Sequence, residues 1–380
     1  MIWQIVTGEY PPHAGGVSAY TRIVAAGLGA AGDEVHVWTP RAASPDRLSP
    51  DPRDPGVTVH RLPGRFGATT LQRLERALQE FNGSRWLIQY APQAFGWHGM
   101  NLPFCLWLYA RRWRQPDVMF HEVMFPIARG QPFKDNLRGA VNRRMAALAA
   151  RAAARIFVST PSWEEVLRTQ VRVERRATWL PLPGTIPVVR DEAAVRATRN
   201  QYRRDGRVLA GHFSTYPMAT REQLARLLPA ALAAADNLDV VLMGTGSSAF
   251  HATLIARHAD LAARLFATGT LPLAALSCHL SACDVLLQIY PDGACARRTT
   301  LIAALEHARA VVTSVGPATE PLWQQSAAVA LAHDPEELRQ TLLKLVADPA
   351  LRMRYQTAAA ALYRERFDPQ YTIARLRTLQ

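Results

Sequence analysis

The sequence predicts an α/β protein made of two doubly wound domains, each a parallel sheet with helices on both faces. Three observations carry this: short apolar runs alternate with helix-spaced patterns along the chain, a glycine-rich turn joins the first run to the first helix, and one proline-rich break lies near the midpoint. A chain of 380 residues, 49% hydrophobic and 20% charged, has the material for two cores, which excludes a single small module and wholesale disorder.

Residues 2–7 form an apolar run closed by Gly8, and Pro11, Pro12, Gly15 and Gly16 follow. Val17, Tyr20, Val24, Leu28 and Ala31 then recur at helical spacing until Gly32, and residues 35–39 read as a second strand. Strand, glycine loop, helix and strand make a βαβ unit. Further strands are expected at 57–61, 86–90, 117–120 and 155–159, with an Ala- and Arg-rich helix over about 136–154. The weakly charged stretch 86–110 has the length of a membrane span. Pro92, Gly96, His98, Gly99, Asn101 and Pro103 interrupt it, so it reads as a buried strand, a loop and the start of a helix.

Three prolines and a glycine in WLPLPGTIPVV, residues 179–189, suit a hinge, and the domain boundary is placed there, between residues 1–183 and 184–365. A second α/β series has strands at 208–213, 239–244, 265–269, 284–290 and 310–314. Two such domains on one hinge make a clamshell, with the ligand expected in the crevice at the strands' carboxyl ends.

The formal net charge is +13, and only Lys134 and Lys344 are lysines, so the excess is almost all arginine. No zinc-finger spacing or aromatic RNA-binding signature accompanies it, and no nucleic-acid partner is expected. Cys105, Cys278, Cys283 and Cys295 form no C-x-x-C pair, which fits a reducing cytoplasm, and the opening MIWQIVTGEYPP reads as a strand rather than a signal peptide. There is no D-x-D, H-E-x-x-H or G-x-S-x-G motif and no kinase signature; Cys278, His279 and Cys283 lack a fourth ligand, so no metal is expected.

Three segments can carry chemistry. In the first loop, Gly15 and Gly16 let the backbone approach a ligand at a helix N-terminus, where unpaired N–H groups favour an anion; a plain tight turn is the alternative. In YPDGACARRTT, Arg297, Arg298, Thr299 and Thr300 stand at the start of a helix. They offer forked and hydroxyl donors to a diphosphate, or else form a solvated pair beside an N-cap threonine. His121, just past a strand, can bond a substrate hydroxyl, shuttle a proton, or be structural.

The stretch GEYPPHAGGVSAYTRIVAAGLGAAGDEVHVWTP resembles the first glycine loop, helix and second strand of the GT-B glycosyltransferases, specifically the retaining family 4. VLMGTGSS is similar to that family's nucleotide-domain glycine turn, TGTLPLAALSCHLSACDVLLQIYPDG to its approach to the donor site, and AVVTSVGPATEPLW to the strand and loop after the donor-site helix. The resemblance spans nearly the whole chain and is thinnest from about 62 to 115. It implies the GT-B fold, two Rossmann-like domains facing across a cleft, and transfer of a sugar from a nucleoside diphosphate sugar with retention and without a metal. The acceptor would be a carbohydrate, a lipid-linked sugar or a small molecule. By the same resemblance Gly15 and Gly16 contact the donor diphosphate or sugar, His121 the donor sugar, and Gly244 and Glu320 the nucleotide side. The C-terminal segment, about 366–380, would cross back onto the first domain.

Two positions depart from the family. Its paired glutamates fall on Cys295 and Ala303, and GHFSTYPMATRE offers His212, Ser214 and Thr215 where the family carries Arg and Lys. Compensation is available from Arg297 and Arg298 for the diphosphate, Asp292 for a sugar hydroxyl and Glu306 for the ribose. His121, Asp292 and Arg298 are therefore the expected catalytic residues. Acceptor choice is expected within 62–115, where Trp97, His98, Met100 and Asn101 lie. The competing readings are a catalytically silent GT-B module and a peripheral membrane protein whose Arg-rich helix docks on anionic lipid at the inner face of the membrane.

Overall fold

The computed structural model describes residues 1–13, 15–40, 48–50, 54–202 and 206–378, with backbone only at 48–50. The chain divides into two compact units, Met1–Leu182 with Pro369–Gln380, and Pro183–Asp368.

The first unit contains strands β1 (Ile2–Thr7), β2 (Glu34–Pro40), β3 (Leu48–Pro50), β4 (Val57–Leu62), β5 (Arg85–Tyr90), β6 (Asp117–Phe120), β7 (Arg155–Val158) and β8 (Thr178–Trp179). Their order in the sheet is β3-β4-β2-β1-β5-β6-β7-β8, and every pairing is parallel except β3 with β4. Both faces are covered, so alternate residues of one strand enter different cores. Trp3 and Ile5 join Val35, Val37 and Leu87, whereas Val6 joins Ile88, Val118 and Phe120. The antiparallel β3 and the two-residue β8 escape pattern reading because each has too few residues to show a period. Trp179, taken as the start of the hinge, is the last residue of β8 and pairs with Val158.

The helix Gly16–Ala30 and the C-terminal helix Pro369–Arg377 pack on one face, where Ile373 and Leu376 join Val24 and Leu28. Gly27 permits this approach, since a Cβ there would stand 2.8 Å from Ile373 Cδ1. Buried Asp33 closes the arrangement by accepting from the Met1 amino group at 2.9 Å, Trp3 Nε1 at 3.1 Å and Arg377 Nη2 at 3.4 Å. Among the described residues no helix is long and apolar enough to cross a membrane. The stretch 86–110 resolves into β5, two 3-10 turns and the helix Leu102–Ala110. The Arg-rich helix runs over Phe133–Ala152, three residues earlier than the sequence suggests, and buries Met145, Ala146, Ala149 and Ala150.

The second unit has strands β9 (Val208–Phe213), β10 (Leu238–Met243), β11 (Leu265–Ala267), β12 (Val285–Gln288), β13 (Ala310–Ser314) and β14 (Ala330–Ala332). All are parallel, in the order β11-β10-β9-β12-β13-β14. The chain winds outward one way from β9 and the other way from β12, which makes the gap beyond their carboxyl ends the switch point. Gly211 lies in β9, where neighbours press from both sides: a Cβ would stand 2.5 Å from Cys283 Sγ, 2.8 Å from Met243 Cε and 2.9 Å from Leu286 Cδ2. Gly211→Ala should therefore overpack this core and cost about 1–3 kcal/mol. The check is a lower urea midpoint for this unit, and an unchanged midpoint would show that the three side chains repack without penalty.

Candidate functional site

A cavity of about 520 Å³ opens at the switch point of the second sheet. Its walls come from the segments following four strands: Ser214 and Thr215 after β9, Gly244 and Thr245 after β10, Thr270 and Leu271 after β11, and Tyr290 and Pro291 after β12. Arg297, Arg298, Thr299 and Thr300 complete it at the start of the helix Thr299–Glu306. Parallel strands thus deliver hydroxyls to one rim, and the helix adds its unpaired N–H groups and the positive end of its dipole. Gly244 is required by position. It has φ +102°, and a Cβ there would stand 2.3 Å from the Ser214 carbonyl oxygen.

Of the expected residues, Gly244, Arg297, Arg298, Thr299 and Thr300 line this cavity together. The Arg298 guanidinium forms an ion pair with Asp292 and lies over the Tyr290 ring, 4.9 Å from its centroid. Arg298 Nε is buried without a hydrogen-bond partner. The Tyr290 hydroxyl in turn shares a hydrogen bond of 2.7 Å with Thr300 Oγ1, and burial pushes the phenol's pKa up, so it stays protonated. Asp292, expected to accept from a sugar hydroxyl, instead neutralises the arginine in this structure. Glu320 does not line the cavity. Its Oε2 accepts from the Ala296 N–H at 2.8 Å and from Trp323 Nε1 at 2.7 Å, so it shapes the loop that presents Arg297 and Arg298.

Cys295 and Ala303 are buried and do not line the cavity. Glu306 also lies outside it, against Gly184 and hydrogen-bonded to Tyr363; burial lifts its carboxyl to about 7. This position lies away from the cavity, where the sequence suggested a ribose contact. Thr245, Thr270 and Leu271 were missed by sequence reasoning. The available signal was their place immediately after short apolar runs, which is where open α/β sheets put ligand contacts.

In the first unit, Gly15 has an extended backbone and sits against Glu9, whose Oε2 would be 2.6 Å from a Cβ at that position. Gly16 starts the helix Gly16–Ala30, and nothing stands within 4 Å of where its Cβ would be. Burial raises the Glu9 carboxyl, and the nearby Glu122 adds to the shift while His13 opposes it. His121 follows β6, with its Nε2 at 2.7 Å from Gln89 Oε1 and its ring edge-on to Tyr20 at 4.8 Å. Its carbonyl accepts from Trp163 Nε1 at 2.8 Å. Burial lowers the ring to about 3, so it is neutral near pH 7. That environment suits a neutral hydrogen-bonding group. Asn101 is fully buried and caps its helix by accepting from Phe104 N–H and donating to the Phe66 and Phe95 carbonyls, a structural task rather than acceptor recognition.

Because His121 is shifted below its ordinary 6.5, the unfolded chain takes up the proton first. The stability linked to its neutral form is complete above about pH 6.5 and falls as pH drops towards 3, by at most about 1.4 kcal/mol per pH unit. The slope of unfolding free energy against pH between 6 and 4 should be shallower in His121→Gln by up to that amount. Parallel slopes in urea titrations would contradict this environment for the ring.

The family model described as a glycosyl transferase 4-like domain matches residues 15–183. No curated protein sequence matches the chain. Among solved structures, sucrose-phosphate synthase from Thermosynechococcus elongatus is 18% identical with a TM-score of 0.64, over 99% of this chain and 97% of that one. HepE from Anabaena, in complex with UDP, is 16% identical with a TM-score of 0.67, over 99% and 98%. The UDP-forming α,α-trehalose-phosphate synthase from Burkholderia vietnamiensis is 12% identical with a TM-score of 0.64, over 100% of both chains. At these identities the likeness is one of fold, and it extends end to end. Residues 15–183 thus resemble a glycosyl transferase 4-like domain, and over its whole length the chain has the GT-B fold.

Proposed function

We propose that the chain transfers a sugar from a nucleoside diphosphate sugar to an acceptor hydroxyl, retaining the configuration at the anomeric carbon and using no metal ion. The observation that carries this reading is the cavity at the β9/β12 switch point, where two arginines, two threonines and a helix N-terminus converge. Such a rim suits a diphosphate, and the UDP bound in HepE is a ligand of that chemistry. In this proposal the second unit binds the nucleotide, and the first unit binds the acceptor, with Gly15, Gly16 and His121 as its sugar-facing residues.

As the bond between the anomeric carbon and the diphosphate breaks, negative charge grows on the departing oxygen. Guanidiniums aimed there stabilise the transition state more than the ground state, and they supply positive charge that a cation would otherwise bring. The acceptor oxygen forms its bond on the same face, and its proton passes to the departing diphosphate, so no enzymic nucleophile is required. A second reading, a module that binds sugar nucleotide without turnover, is supported by the burial of Cys295 and Ala303 where the family resemblance would place carboxylates.

Thermal unfolding with UDP, GDP, ADP and dTDP in turn tests the site, because a ligand at about 100 times its Kd adds roughly 2.7 kcal/mol. One nucleotide should stabilise the protein, equally with and without EDTA, and Arg298→Ala should abolish the shift. Sugar release onto an acceptor with that nucleotide's sugar supports the transferase, binding without transfer across an acceptor panel supports the silent module, and no shift with any nucleotide overturns both.

The internal ion pair gives a separate expectation. Asp292 competes with a diphosphate for Arg298, so Asp292→Asn should tighten nucleotide binding by up to roughly fivefold, the range of a partly exposed pair. Weaker binding in calorimetric titration would show instead that the Asp292 carboxylate touches the ligand.

A further inference from the structure

At the other end of the first sheet from His121, a second cavity of about 240 Å³ opens at the amino ends of β5, β6 and β7. Arg85, Arg114 and Arg155 line it, with Asp117 as the carboxylate among them. The three arginines are not equivalent. Arg155 engages both Asp117 oxygens, Nε to Oδ1 at 2.8 Å and Nη2 to Oδ2 at 2.6 Å, and it also donates to the carbonyls of Arg375, Leu376 and Thr378. It is a structural tie to the C-terminal helix.

Arg85 shares only Oδ2, at 3.1 Å through Nη2, while its Nη1 is buried without a hydrogen-bond partner. The next carboxylate in its field, Asp33, is already held by the Met1 amino group, Trp3 and Arg377. Arg114 has no carboxylate partner among the described residues; its guanidinium lies 5.8 Å from the Trp86 ring centroid and 4.3 Å from that of Trp113. Arg85 is likewise stacked, 4.5 Å from the Trp3 ring. One carboxylate thus faces three guanidiniums, two of them oriented by aromatic rings, and Arg114 has no carboxylate among the described residues to share. At the rim Gln115 holds a left-handed backbone, φ +51°, a conformation that side-chain-bearing residues rarely adopt.

We propose that this cavity binds a phosphate group, as a dianion or a phosphomonoester, at a site separate from the nucleotide cavity of the second unit. Forked guanidinium donors match tetrahedral oxyanion geometry, and a doubly charged anion balances the surplus that Asp117 leaves. The chemistry is shared by free phosphate compounds and by the headgroup of an anionic lipid such as phosphatidic acid. The inference does not depend on sugar transfer, because no residue of the nucleotide cavity takes part in it.

The test is thermal unfolding of the full chain against inorganic phosphate at constant ionic strength, in wild type, Arg298→Ala, Arg114→Gln and Arg85→Gln. The shift should saturate and be the same in wild type and Arg298→Ala, which separates it from the nucleotide cavity. Arg114→Gln, which removes no hydrogen bond, should weaken the apparent affinity at least fivefold, and Arg85→Gln should do the same. Sedimentation with phosphatidic acid vesicles, against phosphatidylcholine, distinguishes the sources: Arg114-dependent binding assigns a lipid headgroup, and its absence beside a phosphate shift assigns a free phosphate compound. A phosphate shift that is absent, or unchanged in Arg114→Gln, overturns the proposal.

Discussion

The parallel sheet is the constraint from which the rest of this structure follows. Parallel strands cannot be closed by a hairpin, so each return needs a crossover, in most cases through a helix on one face or the other, and strand carboxyl ends collect on one edge. In the second unit this brings the segments after β9, β10, β11 and β12 around one cavity, although they are far apart in sequence. In the first unit the same rule puts His121 at one edge and the Arg85, Arg114 and Arg155 cluster at the opposite one.

Within the second unit's cavity, the ion pair between Arg298 and Asp292 is the central electrostatic feature. A guanidinium on a cavity wall is costly to leave uncompensated, and a carboxylate six residues earlier on the same loop compensates it. Tyr290 supports the arginine from below and is itself tied to Thr300, so strand end, loop and helix start form one linked set. Glu320 holds the back of that loop through Ala296 and Trp323. A residue expected at a ligand is here bonded to the loop that carries Arg297 and Arg298. The same distinction separates Asn101, committed to a helix cap, from its neighbour Trp97, which is exposed.

The chemical state of His121 illustrates how burial redefines a residue type. A histidine beyond a strand is ambiguous between proton carrier and hydrogen-bonding group. Packed against Tyr20 and bonded to Gln89, it stays neutral, because charging an imidazole away from water is expensive. Glu306 shows the converse: removed from solvent near Tyr363 and Asp368, it holds its proton to about pH 7.

Periodicity alone determined most of the fold. The strands at Ile2–Thr7, Asp117–Phe120, Val208–Phe213 and Ala310–Ser314 fall where the apolar runs place them, because strands buried on both faces are apolar over most of their length. The glycine turn before the helix Gly16–Ala30 and the arginine–threonine helix start were likewise readable, since special backbone and special donors require particular residue types. Only the tertiary structure decided which of those residues share a cavity, that Glu320 faces Ala296 and Trp323, and that Arg85, Asp117 and Arg155 meet at one edge of the sheet. The reason is physical: element formation depends on neighbours three or four positions away, whereas charge compensation and burial depend on partners brought in by crossovers tens of residues long.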